Sequence, residues 1–259
     1  MSTYVFDHAW EEEQARLTGL ERGLDPGTIY HLETLGVGPG WRCWEIGGGG
    51  GSIAAWLCER VGSSGHVLAT DLETAFLERL SYTNLTVRRH DIVADAVPED
   101  QFDLVHTRWV LHWLPARQQA LTRMMAALRP HGWLLVEEPD FVTIYHACAS
   151  ETVGKVVTAG IRVLEAMSGV QSEYGRRLLH DVRAQNLVDV EALGRVTMMQ
   201  GGSPLAVHLR LTTAKVRATL ASSGAATMEE IEEALARLAD PAFATMSVLT
   251  MAVWGRRAA

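Results

Sequence analysis

Five consecutive glycines, Gly47–Gly51, stand between an apolar run (WRCWEI, 41–46) and an alanine-rich one, and two aspartates follow at wide spacing, Asp71 in HVLATD and Asp91 in RRHDI. Glycine inside a helix or strand costs backbone entropy, so five in a row mark a turn where the backbone must approach something closely. Such a turn after a strand opens the backbone to a ligand. The helix that follows points its free N–H groups at polar ligand atoms. From Glu45 to Gly51 the segment reads E-x-G-x-G-x-G. It also holds G-x-G-x-x-A in Gly49, Gly51 and Ala54, so the loop alone leaves a dinucleotide open. The acids narrow the choice. Asp71 ends the second strand, where a carboxylate suits two ribose hydroxyls. Asp91 ends the third, where it could accept a hydrogen from an adenine amino group beside the N–H of Ile92. Together they describe a nucleoside site. No Y-x-x-x-K pair supports a short-chain dehydrogenase, since Tyr145 is followed four on by Ala149 and Tyr174 by Leu178.

Among ten histidines, His112 lies just past the fourth strand, on the rim where a substrate should sit. A neutral imidazole, with an ordinary pKa of ~6.5, can take a proton from a phenol or alcohol near neutral pH. A packing or capping role competes with that reading. Arg108 can orient a ligand or pair at the surface. Glu138 and Asp140, at the end of the fifth strand, can bind an amine or hydroxyl or act as solvated caps. Tyr145 and His146 are weaker candidates. His66, His131 and His180 read as surface or turn residues, and Cys43 and Cys58 as packed thiols.

The elements that must place these residues alternate. Strands are expected at 41–46, 66–71, 85–91, 102–107 and 132–138, with helices at about 52–61, 74–81 and 115–128. Upstream, 8–19 reads as a helix, and a second is expected after it, with Asp25 as its cap, Pro26 at its first position and Gly36 as its close. Short apolar strands with crossover helices make a parallel sheet covered on both faces. Two helices then follow without a strand between them. The first, 150–167, carries Val153, Val156, Val157, Ile161 and Leu164 at helical spacing; the second runs from about 173 to 185. A strand at 187–200, a helix near 212–222, a helix capped by the T-x-x-E of Thr227 and Glu230 and a last strand at 243–257 complete the chain. The reading is one domain over 1–259: helical residues 1–40, a core at 41–141, a helical insertion at 149–186 and closing elements at 187–259.

The 259 residues carry 47% hydrophobic and 21% charged residues and a formal net charge of −8, ordinary for a globular protein. With no run of Lys or Arg, nucleic acid and anionic membrane are poor partners. A small molecule is the better default. No stretch approaches the ~20 apolar residues of a membrane span, and the N-terminus has no signal-peptide pattern. Three cysteines without metal-like spacing suit a reducing cytoplasm. An exposed sheet edge and an apolar insertion make a homodimer a possibility.

The glycine loop, VLATDLE, RRHDI, FDLVHTRWVLHWLP and LRPHGWLLVEE, in this order across 41–140, resemble the class I S-adenosylmethionine-dependent methyltransferases. The resemblance implies a Rossmann-like α/β fold, a seven-stranded, mostly parallel sheet of order 3-2-1-4-5-7-6, with S-adenosyl-L-methionine as cofactor. It implies that Glu45, Gly47, Gly49 and Gly51 form the cofactor loop, the glycines packing on its methionine and ribose. It further implies Asp71 for the ribose hydroxyls, Leu72 against adenine, Asp91 and Ile92 for the adenine edge, and a backbone carbonyl at Thr107 for the methionine amine. The extra Gly48 and Gly50 are unexplained. WVLHW resembles the segment carrying the general-base histidine of small-molecule O-methyltransferases, although Trp113 stands where an acid often follows. In relatives an aromatic N-terminus closes as a lid, which would put Tyr4 or Trp10 over the sulfonium; a helix packed on the sheet edge is the alternative. The pattern looks like methyltransferases of bacterial secondary metabolism acting on an apolar small acceptor, most simply at oxygen. Nitrogen or carbon acceptors, a cyclase or ligand-binding relative without methyl transfer, and a nicotinamide oxidoreductase are the other readings.

Overall fold

The computed structural model describes residues 12–259, so the predicted lid residues Tyr4 and Trp10 lie outside it. In chain order the elements are α1 (Glu13–Thr34), β1 (Arg42–Ile46), α2 (Ser52–Val61), β2 (His66–Asp71), β3 (Leu85–Arg89), β4 (Phe102–Arg108), α3 (Arg117–Ala127) and β5 (Leu128–Asp140). There follow α4 (Val142–Ala147), α5 (Glu151–Ser168), α6 (Gly175–Arg183), β6 (Leu187–Arg195), β7 (Met198–Gln200), α7 (Pro204–Ser222), α8 (Met228–Ala239), β8 (Ala244–Met246) and β9 (Leu249–Arg257). Among the described residues they fall into two compact units, one of 25–138, 174–194 and 251–259, the other of 12–24, 139–173 and 195–250.

The first unit is built on a seven-stranded sheet of order β3-β2-β1-β4-β5-β9-β6. With β9 counted as the seventh strand, this is the order the resemblance implies. The pairs β2–β3, β1–β2, β1–β4 and β4–β5 are parallel. Alternation along each strand sends neighbouring residues to opposite faces. Trp44, Ile46, Val105, Leu134 and Val136 pack with Leu121 and Met124 of α3 and Leu178 and Val182 of α6. Cys43, Leu104 and Leu135 pack on the other face with Leu32 of α1 and Ile53 and Leu57 of α2. The register pairs Glu45 with His106 and Ile46 with Thr107. A slip of one residue would turn every one of these side chains to the wrong face.

The second unit holds α4, α5, α7, α8 and the β7–β8 ribbon. α5 buries the expected stripe of Val153, Val156, Val157, Ile161 and Leu164, with Ser150 accepting the Val153 N–H as its cap. The capping box of Thr227 and Glu230 forms at α8.

Several expectations are corrected. α1 is one continuous helix through Pro26, so Asp25 caps nothing. Its packing overrides the proline penalty of roughly 3 kcal/mol. Upstream, Gly19 and Gly23 bring α1 so close to α7 that added Cβ atoms would lie 2.6 Å from the Pro204 carbonyl and 2.3 Å from Leu205. Downstream, Thr28, His31 and Leu32 are buried. Gly36 does close the helix, at φ +82, with the Val37 N–H returning to Leu32. The helix expected at 74–81 shrinks to a 3-10 turn at Leu77–Arg79. The strands expected at 187–200 and 243–257 each break in two. Their outer pieces pair with each other as the antiparallel β7–β8 ribbon, Met198 opposite Met246, because Thr197 and Ser247 exchange hydrogen bonds at the breaks. α7 begins at Pro204, eight residues before the helix expected near 212.

Candidate functional site

The glycine loop leaves β1 at the point where the sheet order reverses between β1 and β4. Gly47, Gly49 and Gly51 have φ of +71, +54 and +96, a region that side chains rarely enter. The Gly47 and Gly48 N–H groups both donate to the Thr70 carbonyl, at 2.8 and 3.1 Å. Part of the demand for glycine comes from the chain itself. A Cβ would lie 2.2 Å from Val110 Cγ2 at Gly47, 3.0 Å from Leu77 Cδ2 at Gly48 and 2.8 Å from Leu80 Cδ1 at Gly51. Gly48, unexplained from the sequence, is thereby accounted for in part; nothing in the structure explains Gly50.

Asp71 lies beside this loop. Its Oδ2 accepts the Gly49 N–H at 2.9 Å and its Oδ1 the Glu73 N–H at 3.2 Å. Leu72 is exposed. Asp91 closes a turn, Oδ1 accepting the Val93 N–H at 2.8 Å, while Ile92 is buried in the core on the α3 face. Thr107 is buried, its hydroxyl donating to the Ile46 carbonyl at 2.9 Å. The structure therefore gathers Asp71 to the glycines and places Thr107 one strand away.

Glu45 points into the α1 face, where it meets residues the sequence did not single out. His106, fully buried, has Nδ1 2.5 Å from Glu45 Oε2 and Nε2 3.3 Å from Glu137 Oε2. Glu137 also accepts the Thr28 hydroxyl at 2.6 Å, Thr28 accepts Arg108 Nη1 at 2.8 Å, and Arg108 Nη2 donates to Asp25 at 2.8 Å. Burial alone would push the His106 pKa down. The charge of Glu45 and the hydrogen bonds of both carboxylates outweigh it and hold it up at about 9. Burial works against the Glu137 charge too, yet His106, Arg108 and Thr28 draw its pKa below the usual carboxylate value. The centre of the chain is thus an imidazolium between two carboxylates.

His112 sits in a 3-10 turn at Leu111–Trp113, buried between the rings of Trp109 and Trp113. Its Nδ1 lies 2.8 Å from Glu138 Oε2. That carboxylate, fully buried, also accepts the N–H groups of Val110, Leu111 and His112 at 3.1, 2.7 and 3.1 Å. Donation from Nδ1 fixes the tautomer, so Nε2 carries the lone pair. The acid missing at position 113 is supplied from β5. Glu138 thereby gains a definite role, whereas Asp140 caps α4 through the Val142 N–H. Tyr145 is taken up by Ser172, at 2.6 Å. Among the described residues no group of three or more His, Cys, Asp or Glu could hold a metal ion, and no helix is long and apolar enough to cross a membrane. All three cysteines are free.

Comparison with known proteins agrees with this geometry. Residues 44–136 match the family model described as a methyltransferase domain. The ubiquinone/menaquinone biosynthesis C-methyltransferase UbiE of Vibrio vulnificus is 30% identical over 117 residues, 42% of this chain and 45% of the relative. The chain spans about half the length of the curated relatives it matches. A phosphoethanolamine N-methyltransferase of Haemonchus contortus, solved with S-adenosylhomocysteine, superposes with a TM-score of 0.62 at 15% identity, over 99% of this chain and 61% of that one. The [4+2]-cyclase SpnF superposes with a TM-score of 0.55 at 15% identity, over 92% of this chain and 82% of that one. At these identities the solved structures speak for the fold. Sheet order, left-handed glycine loop and domain match converge on one statement: residues 44–136 carry a methyltransferase domain, set in a Rossmann-like sheet.

Proposed function

We propose that the protein transfers a methyl group from S-adenosyl-L-methionine to a small organic acceptor, most simply at oxygen, with His112 as general base. The observation that supports the cofactor reading best is the tie between Gly49 and Asp71 at the switch point, the place where open parallel sheets take their ligands. The residues present fit a nucleoside carrying an amino acid. The loop carries no side chains of its own, the first N–H groups of α2 have no intrahelical acceptor, Asp71 lies partly exposed beside it, and Asp91 and Ile92 follow just past the end of β3. Cofactor roles are accordingly assigned to Glu45, Gly47, Gly49, Gly51, Asp71, Leu72, Asp91, Ile92 and Thr107. Glu45 acts there through His106, because its carboxylate is engaged with that ring.

When bound, the cofactor supplies a sulfonium-activated methyl carbon, so the protein's work is chiefly positioning. With the cofactor in place, the acceptor oxygen would bond to the methyl carbon as the thioether sulfur leaves, His112 Nε2 would take the acceptor's proton, and Glu138 would balance the imidazolium through Nδ1. A carbon acceptor is the second reading, favoured by the relatives that carry the name C-methyltransferase. An acidic carbon would also use a base, whereas a cyclase would convert its substrate without forming S-adenosylhomocysteine. The free thiols suit the reducing cytoplasm to which the reading assigns it.

Calorimetric titration with S-adenosylhomocysteine tests the cofactor assignment. Micromolar binding is expected in the parent protein, weakened about a hundredfold in Asp71→Ala, the scale of two lost hydrogen bonds to an ionised group. Binding of NADH instead would overturn it. With a phenolic acceptor, His112→Ala should lower methyl transfer roughly a hundredfold near neutral pH, within the range for general bases. The deficit should shrink as the phenol ionises on its own. Equal rates for parent and variant across the pH range would remove His112 from the chemistry.

A further inference from the structure

The hydrogen-bond chain on the α1 face ends in a group that the proposed chemistry does not use. Asp25 Oδ1 accepts Arg108 Nη2 at 2.8 Å and the Ser52 hydroxyl at 3.0 Å. Ser52 is the first residue of α2, directly after Gly51, and Arg108 is the last residue of β4. These two chain segments form the two sides of the crevice at which the sheet order reverses. One carboxylate from a third element therefore joins both sides. Thr28, one turn further along α1, holds the other arm of the same guanidinium at 2.8 Å, so Arg108 is fixed by a two-point grip that a lysine could not reproduce. Asp followed by Pro is a poor choice for the middle of a helix. A local rule broken inside an otherwise consistent element points to a duty other than helix formation.

We propose that Asp25 is a positioning residue for the nucleoside ligand: through Ser52 and Arg108 it sets the glycine loop and the start of α2 against the end of β4 before the ligand arrives. Thr28 supports it by fixing Arg108. This rests on the cofactor reading above. Preorganisation of that kind shows in affinity, because the loop need not be ordered on binding.

The test is calorimetric titration of the full chain with S-adenosylhomocysteine, well below its melting temperature. Asp25→Asn keeps the shape and removes the charge, Ser52→Ala removes the link on the loop side, and Ser52→Thr keeps the hydroxyl. Each of the first two should raise Kd about tenfold, and their combination should be no worse than the weaker binder, as for members of one network. Ser52→Thr should bind within about twofold of the parent, which a loss of fold stability alone would not produce. Kd values for Asp25→Asn and Ser52→Ala within about twofold of the parent, whatever their melting temperatures, would overturn the assignment and leave the bracket as scaffold. If Asp25→Asn fails to fold, the Ser52 pair decides. A parent protein that does not bind overturns the cofactor reading itself, and is seen before any variant is made.

Discussion

Gly47→Ala is expected to cost about 2–4 kcal/mol of stability and to weaken binding of S-adenosylhomocysteine more than a hundredfold. Two penalties combine. At φ +71 a residue with a Cβ pays roughly 1–2 kcal/mol. The new methyl group would also stand 2.2 Å from Val110 Cγ2, and overpacking of this kind costs typically 1–3 kcal/mol. Val110 is β-branched and stiff at χ1, so its backbone must move. That backbone is committed, because the Val110 N–H donates to Glu138. The disturbance therefore passes from the glycine loop to the turn that carries His112. Adding Val110→Ala should relieve the contact and leave the backbone strain, recovering about half of the lost stability. Thermal melts and titration of the two variants check this; a Gly47→Ala protein that binds within about threefold of the parent would refute it.

His106→Leu is expected to be worse for the fold. It leaves Glu45 and Glu137, 3% exposed each, without the cation between them. Removing one partner of a buried charge pair costs about 3–5 kcal/mol, which for a chain of this size is a drop of roughly 10 °C in Tm. A linked pH dependence should vanish with it. The folded-state pKa of His106 is about 9, above the unfolded value of ~6.5. Its contribution is therefore fully present below ~6.5 and is lost as pH rises through 9. The parent should lose Tm steadily across that interval, and His106→Leu should lose less, because other groups that titrate there are common to both. Parallel Tm curves for the two proteins would rule out a charged His106.

The strands of the sheet were legible because strands buried on both faces read as unbroken apolar runs, such as Leu134–Val136 in β5; their order came from the family resemblance. The glycines and Asp71 were legible because the loop and the strand end are local signals. What escaped is what only register creates. His106 lies 61 residues from Glu45 and 31 from Glu137. Nothing in FDLVHT announces that its histidine faces two carboxylates. Glu137 and Glu138 are adjacent in sequence, yet the strand period sends them to opposite faces, one to His106 and one to His112. Asp25 was misread for the opposite reason. Its local signal, Asp before Pro, is a good start for a helix, and packing on both sides of Pro26 overrode it. The strand breaks at 196–197 and 247–248 depend on Thr197 and Ser247 finding each other 50 residues apart.

Glu138 serves the backbone and the imidazole with the same two oxygens. The ring's tautomer and the path of the chain are therefore inherited together. A descendant that came to methylate an acceptor needing no base would still lose its turn if it lost this carboxylate, and would leave the carboxylate short of a donor if it lost the histidine. Evolution could change the chemistry here without erasing the residue. A histidine at this place is thus tied to architecture as well as to chemistry, and the rate difference between parent and His112→Ala near neutral pH tells whether it is employed as a base.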